Sequence, residues 1–376
     1  MNKPSQFTIA LDYTPAYEQG GGIGRYVREI TAALARQPAD INYRLFVSGA
    51  GPLPPAPADN FTWKPTSITP LWLARIWQRA RLPLPVELFT GSVDLYHATD
   101  FVLPPARSRT LLTVHDLSFV RVPEAASPPL KAYLDAVVPR SVRRADHILA
   151  DSQATKDDLI DLYNTPAEKI TVLLSGVDAR FKPTINATVR QKYNIPDRPY
   201  IFSVGTVQPR KNYTRLIHAL AALRSRGMDL GLVIAGGAGW LQDPIYASIS
   251  ETQMEDYVRF IGFADDADLP ALYSAARVTA VPSLYEGFGI PVLESMACGT
   301  PVLTSNVSSL PEVAGDAALT VTPTDLEAII DALQRLTSEE SLRADLIAKG
   351  LARAHEFTWD RSAQQLHDIY LRMLTS

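Results

Sequence analysis

Glu286 and Glu294 stand eight positions apart within the stretch 281–301, VPSLYEGFGIPVLESMACGTP. Gly287 and Gly289 flank Phe288 between them, and Pro291 follows. Two glycines let backbone amides approach a ligand closely. A helix that begins just behind them directs free N–H groups and its positive dipole end into the same space. Glu286 falls on the loop and Glu294 on the helix, so both carboxylates can face one ligand as hydroxyl acceptors. A sugar nucleotide carries the matching parts: phosphates, a ribose diol and a polyhydroxyl ring. The alternative is an ordinary βα turn of a doubly wound sheet, with Glu294 a solvated helix residue.

A second cluster follows Gly205, in GTVQPRKN, where Arg210 and Lys211 are adjacent cations at the start of a helix. Arginine offers a planar fork and lysine a point charge, a pair suited to a diphosphate. A solvated basic turn is the bland reading. His115 follows an apolar run at 110–114. The carboxyl end of a parallel strand is where open α/β sheets bind ligands. A neutral imidazole there can hydrogen-bond a sugar hydroxyl, and a charged one can offset phosphate; a structural histidine is the alternative. Gly20, Gly21, Gly22 and Gly24 precede another helical pattern. They read as a phosphate cradle or as a flexible turn, and G-x-G-x-x-G is not completed.

The elements that must position these groups alternate along the chain. Apolar runs predict strands at 7–11, 42–47, 93–97, 110–114, 147–150 and 169–173, then at 200–204, 230–235, 258–260 and 301–304, with another ending at Val281. Periodicity near 3.6 predicts helices at 25–36, 133–145, 213–223 and 325–354, and a last one ending near Leu374. Asp151-Ser152 reads as a helix cap. Gly176-Val177-Asp178 to Pro183 reads as a linker. Strands and helices alternating in two halves imply two Rossmann-like α/β domains facing a cleft. We place them at 1–180, joined by a final helix at 359–376, and at 181–358.

The EGFG–PVLES–ACGTPV block closely resembles the signature of the retaining GT-B glycosyltransferases of the group 1, or GT4, family. SVGTxxPRKN, GGIGRYV, TVHDLS, a GVD hinge and LPEVAGDAA are similar to other family segments, so the resemblance covers nearly the whole chain. It implies that Glu286 contacts the donor sugar and that Glu294 holds the nucleotide ribose. It implies Arg210 and Lys211 as diphosphate ligands near Gly205, and Gly22 and Gly24 in a loop closing over the donor diphosphate and the acceptor. It places the nucleotide base near Gly262 and Phe263, and His115 against the donor sugar. The amides from Gly287 through Phe288 to Gly289 would orient that sugar. It also implies a last helix that crosses back to the first domain, and no catalytic metal.

Composition limits the classes. The chain has 376 residues, 46% hydrophobic and 20% charged, with a net charge of −4. Those values suit one large or two ordinary folded domains and exclude a general nucleic-acid footprint. Cys298 is the only cysteine, which excludes an internal disulfide and a cysteine zinc site. No run reaches the roughly 20 apolar residues of a membrane span. The opening MNKPSQFTIALDY is too soon polar for a signal peptide. We read a cytoplasmic protein, with peripheral contact at the inner membrane face left open. That contact would fall at residues 70–82, where Trp72 and Trp77 alternate with Arg75, Arg79 and Arg81; a helix packing its tryptophans on its own domain is favoured. Asp266-Ala-Asp268 has the form of a metal motif, but it precedes Leu269-Pro270, so we assign these acids to capping and dipole stabilisation.

The expected activity is transfer of a hexose, mannose favoured, from a nucleotide diphosphate sugar to a hydroxyl of a glycan or lipid-linked acceptor. No separate cofactor and no metal are expected. GDP-mannose leads as donor and UDP-glucose is second. A sugar-nucleotide epimerase, a phosphorylase and a non-catalytic sugar-nucleotide-binding subunit are the rival readings.

Overall fold

The computed structural model describes residues 7–375, which fall into two α/β units. One holds the described residues up to Leu117, then Ala132–Gly176, then the chain from Trp359; the other holds Ser118–Lys131 and Val177–Thr358.

The first unit is built on seven parallel strands: β1 (Phe7–Asp12), β2 (Ile41–Ser48), β3 (Phe61–Thr66), β4 (Leu95–Ala98), β5 (Arg109–Val114), β6 (His147–Ala150) and β7 (Ile170–Val172). Their order is β3-β2-β1-β4-β5-β6-β7, so the direction of winding reverses between β1 and β4. Helices Gly22–Leu34 and Trp359–Thr375 pack against each other in this unit. Val27, Ile30 and Leu34 from the first meet Leu366, Ile369 and Tyr370 from the second in one buried cluster. Tyr370 reaches further in, with its hydroxyl 2.7 Å from His97 Nδ1, while His97 Nε2 lies 2.8 Å from Thr113 Oγ1. Burial drives the His97 pKa down to about 3, so this ring is neutral.

The second unit has six parallel strands: β8 (Tyr200–Val204), β9 (Gly231–Ala235), β10 (Val258–Gly262), β11 (Val278–Val281), β12 (Val302–Ser305) and β13 (Leu319–Val321). Their order is β10-β9-β8-β11-β12-β13, with the reversal between β8 and β11. Leu232, Ile234 and Leu303 from the sheet pack with Leu216, Leu220 and Leu223 from the helix Tyr213–Ser225. Runs such as YIFSV and GLVIA are buried along almost their whole length, as strands covered on both faces require.

Several elements depart from the sequence reading. β3 and β13 were not foreseen; both are edge strands, and β3 carries Pro65, which an edge tolerates. The expected helix at 25–36 begins at Gly22 and ends at Leu34, so Gly22 and Gly24 lie in its first turn rather than in a loop before it, and Gly21 takes the cap position. Gly24 is required there: a Cβ would sit 2.0 Å from the Gln19 carbonyl oxygen and 2.8 Å from that of Pro15. Gly22 is exposed, with open space around it.

Asp268 occupies the cap position of helix Leu269–Ser274 but makes no side-chain capping bond. Its Oδ2 accepts instead from Lys192 Nζ at 2.5 Å and Tyr193 Oη at 2.8 Å, while Asp265 also binds Lys192. Ion pairing therefore accounts for Asp268 in place of the expected capping. No group of metal-holding side chains occurs among the described residues.

The stretch after Thr69 forms a short helix, Pro70–Ala74, and a π-helical turn, Arg75–Arg79. The two tryptophans part company. Trp77 donates to the Leu84 carbonyl at 2.8 Å and meets Phe89 edge-on. Trp72 stays 56% exposed with Arg75 over its ring, beside an exposed Leu71.

Candidate functional site

The site is built at the winding reversal of the second sheet, where the loops after β8 and β11 diverge from adjacent strands. That is the crevice position of doubly wound folds. The β8 loop runs from Gly205 through a 3-10 turn, Pro209–Lys211, to Asn212. Asn212 takes φ +61° and donates its amide to the Pro282 and Pro323 carbonyls, which ties this loop to the end of β11. The Leu284 amide donates to the Arg210 carbonyl at 2.8 Å.

These ties bring three charged groups together. Arg210 Nη1 donates to Glu286 Oε2 at 2.8 Å and to the Tyr285 carbonyl at 2.8 Å. Lys211 Nζ donates to Glu286 Oε1 at 2.6 Å. Ser283 Oγ donates to the same oxygen at 2.6 Å. Glu286 is buried, and burial by itself raises a carboxyl pKa. The charges of Lys211 and Arg210, with the Lys211 and Ser283 hydrogen bonds, outweigh it and bring the group down to about 2. Glu286 is thus a fixed anion at neutral pH and a very weak base. Among the described residues, Oε1 takes the Lys211 and Ser283 bonds and Oε2 the Arg210 bond, so Oε2 retains room to accept from a hydroxyl.

Gly205 allows this packing. It takes φ +148°, and a Cβ there would lie 2.7 Å from Lys211 Cε. The β9 loop lies alongside, with Val207 and Ala238 bridged. Gly262 ends β10, and Phe263 beyond it is 64% exposed, a large apolar ring left to solvent. Phe288 is buried with its ring edge-on to Phe357, Gly287 is buried, and Gly289 starts the helix Ile290–Ala297.

Glu294 lies on that helix and is 1% exposed, so it is not a solvated helix residue. The Tyr273 hydroxyl donates to its Oε2 at 2.8 Å. The structure therefore places Glu286, Arg210 and Lys211 in direct contact and gives Glu294 a separate buried partner.

In the first unit His115 follows β5, beside the winding reversal between β1 and β4. Its Nε2 faces the Thr99 carbonyl at 2.8 Å and its Nδ1 faces Asp151 Oδ2 at 2.7 Å. A carbonyl and a carboxylate only accept, so both nitrogens donate and the ring is an imidazolium. Burial opposes that charge, but the charge and hydrogen bond of Asp151, then Asp100 and the Thr99 carbonyl, raise the pKa to about 9. Tyr26 and Phe101 close edge-on around the ring. With both N–H groups engaged, a ligand contact from His115 requires one of these bonds to be released.

The family resemblance implied that the segment beginning at Ser308-Ser309 lines the cleft near the donor, but sequence reasoning gave these serines no partner and missed Ser283. Ser283, Ser308 and Ser309 all bind Glu286, through its carboxylate, its N–H and its carbonyl respectively. It also missed Gln208, buried beside the cation pair, whose Oε1 has no hydrogen-bond partner among the described residues. Serines and glutamines in loops carry no periodic signal, so only the folded arrangement exposes them.

Residues 186–353 match the family described as Glycosyl transferases group 1, and residues 20–181 match Glycosyltransferase Family 4. The chain is 36% identical over 281 residues to the O-antigen chain mannosyltransferase B of Escherichia coli, covering 73% of this chain and 74% of that protein. It is 36% identical over 250 residues to a D-inositol 3-phosphate glycosyltransferase of Salinispora arenicola, covering 61% of this chain but only 55% of that one. Among solved structures, sucrose-phosphate synthase of Thermosynechococcus elongatus superposes with TM-score 0.77 at 24% identity, covering 98% of this chain and 100% of that one. The Anabaena protein HepE, in complex with UDP and glucose, superposes with TM-score 0.76 at 20% identity over the same shares. These structural likenesses establish the GT-B fold.

Proposed function

We propose, from the premise that this chain belongs to the group 1 glycosyl transferases, that it moves a hexose, mannose first, from a nucleotide diphosphate sugar to a glycan hydroxyl with retention at the anomeric carbon. The observation that carries this reading is the contact of Arg210 and Lys211 with Glu286 at the winding reversal of the second sheet. Arg210 and Lys211 would face the leaving diphosphate, where charge stabilisation contributes most to rate. Glu286 would accept from a hydroxyl of the donor sugar through Oε2. Its low pKa argues against a role as general base, and its two cations and serine make it a poor nucleophile. That favours a front-face route in which the leaving phosphate takes the acceptor proton. Glu294 would hold the ribose, and the exposed Phe263 ring would lie under the base. His115 would bring a positive charge toward the donor.

The O-antigen chain mannosyltransferase name of the Escherichia coli relative supports mannose as the transferred sugar and a polysaccharide chain as acceptor, and GDP-mannose is the donor proposed with them. HepE, which holds UDP and glucose, keeps UDP-glucose as the second reading. Peripheral membrane contact would use Trp72, Leu71, Leu82 and Leu84, all exposed, beside Arg75, Arg79 and Arg81. Aromatic and aliphatic side chains among cations suit an anionic bilayer surface. Sedimentation with anionic but not neutral vesicles, lost on Trp72→Ser, is the expected result.

The deciding measurement is a thermal-shift and calorimetry panel of GDP, UDP, ADP and their sugars. A ligand that binds only the folded chain raises its melting temperature by mass action. Preference for GDP supports the mannosyl reading, and preference for UDP moves the donor to glucose. No response to any nucleotide overturns the donor site.

A further inference from the structure

We propose that Ser308 and Ser309 are positioning residues that set the place of Glu286, an assignment that rests on the donor-site reading above. Three observations converge on them. Ser308 takes φ +53°, in the left-handed region that disfavours residues with a side chain. Its Oγ accepts from the Glu286 N–H at 2.9 Å and donates to the Val307 carbonyl at 2.7 Å. The fully buried Ser309 Oγ lies 2.9 Å from the Glu286 carbonyl oxygen and 2.8 Å from that of Phe288, and shares its one proton between them.

Together with Ser283, these two hydroxyls leave Glu286 little freedom. Its N–H is held by Ser308, its carbonyl by Ser309, and its carboxylate by Ser283, Lys211 and Arg210. Ser283 is itself fixed, because Ser305 Oγ donates to its carbonyl at 2.7 Å. Glycine is the residue that adopts φ +53° without penalty. Serine at that position exchanges backbone ease for a hydroxyl placed on the Glu286 amide. A non-glycine residue persists in such a conformation where its surroundings over-determine it, and such strain gathers at functional sites. The carboxylate must meet a sugar hydroxyl while the loop amides orient the same ring. Misplacement by about 1 Å is enough to cost roughly a hundredfold in rate.

The test separates positioning from mere stability. Ser308→Gly removes the hydroxyl and relieves the backbone. Ser308→Thr keeps the hydroxyl and adds a β-branch that the left-handed region penalises. We expect S308G to melt at or above the parent temperature and to bind nucleoside diphosphate within about twofold, yet to lose about tenfold or more in kcat. S308T should melt lower and retain most of its kcat. A structural serine predicts the opposite coupling, with turnover following stability in both variants. Parental kcat in S308G, with nucleoside diphosphate still bound, overturns this assignment alone. Failure of the unmodified protein to bind any nucleoside diphosphate overturns the donor site and the assignment with it.

Discussion

Replacing Glu286 by Gln tests the charge cluster through its pH dependence. The folded carboxyl titrates at about 2 in place of the ordinary 4.5. A depressed carboxyl contributes stability above the unfolded pKa and loses it as pH falls toward the folded value. The difference corresponds to about 3 kcal/mol at neutral pH, and about 2 kcal/mol of it is gone by pH 3. The group is buried, so solvent screening removes little of this. At pH 7 the Gln variant keeps the shape of the side chain but leaves Arg210 and Lys211 without their carboxylate. It should be less stable than the parent by about 3 kcal/mol or more. The assay is urea unfolding of both proteins, followed by circular dichroism at pH 7, 5, 4 and 3. Other acids titrate equally in the two chains, so the gap between them isolates residue 286. The gap should narrow by about 2 kcal/mol between pH 7 and pH 3. A gap that stays constant over that interval refutes the assignment of Glu286 as the depressed carboxylate, and with it the argument that Glu286 is a fixed anion.

His115 should show the opposite dependence. Its folded pKa is raised to about 9 from 6.5, so its contribution is complete below 6.5 and disappears as pH rises through 9. The stability gap between parent and His115→Gln should therefore shrink by up to about 3 kcal/mol from pH 6 to pH 10, measured by the same urea unfolding. Gly24→Ala forces a Cβ onto backbone oxygens and should cost about 1–3 kcal/mol or more, while Gly22→Ala, in open space, should cost nothing measurable. Tyr273→Phe removes the hydroxyl from buried Glu294 and should lower unfolding stability by about 1–3 kcal/mol. Alanine at Arg210 should reduce kcat/KM by about a hundredfold or more, measured with the donor that the nucleotide panel selects.

The alternation of apolar runs with helical periodicity was enough to determine two parallel α/β sheets, because buried parallel strands are apolar on both faces and stand out from amphipathic helices. The strongest strands, such as β8 and β9, were legible for that reason. β3 and β13 were not, since short edge strands are half solvated and lack that signature. Adjacent charges were legible too, as Arg210-Lys211 and the Glu286 loop announce themselves by type and spacing. Local sequence could not decide what each charge faces. Glu294 and His115 were open between solvated, structural and ligand-facing roles until the fold put Tyr273 on one and Asp151 with the Thr99 carbonyl on the other. The serines that hold Glu286 come from two loops, 283 and 308–309, and their hydroxyls converge only because β11 and β12 are neighbours in the sheet. Periodicity and composition are local quantities, and they determine which faces are buried. Hydrogen-bond partners and pKa values depend on groups distant in the chain, and the tertiary structure alone decides them.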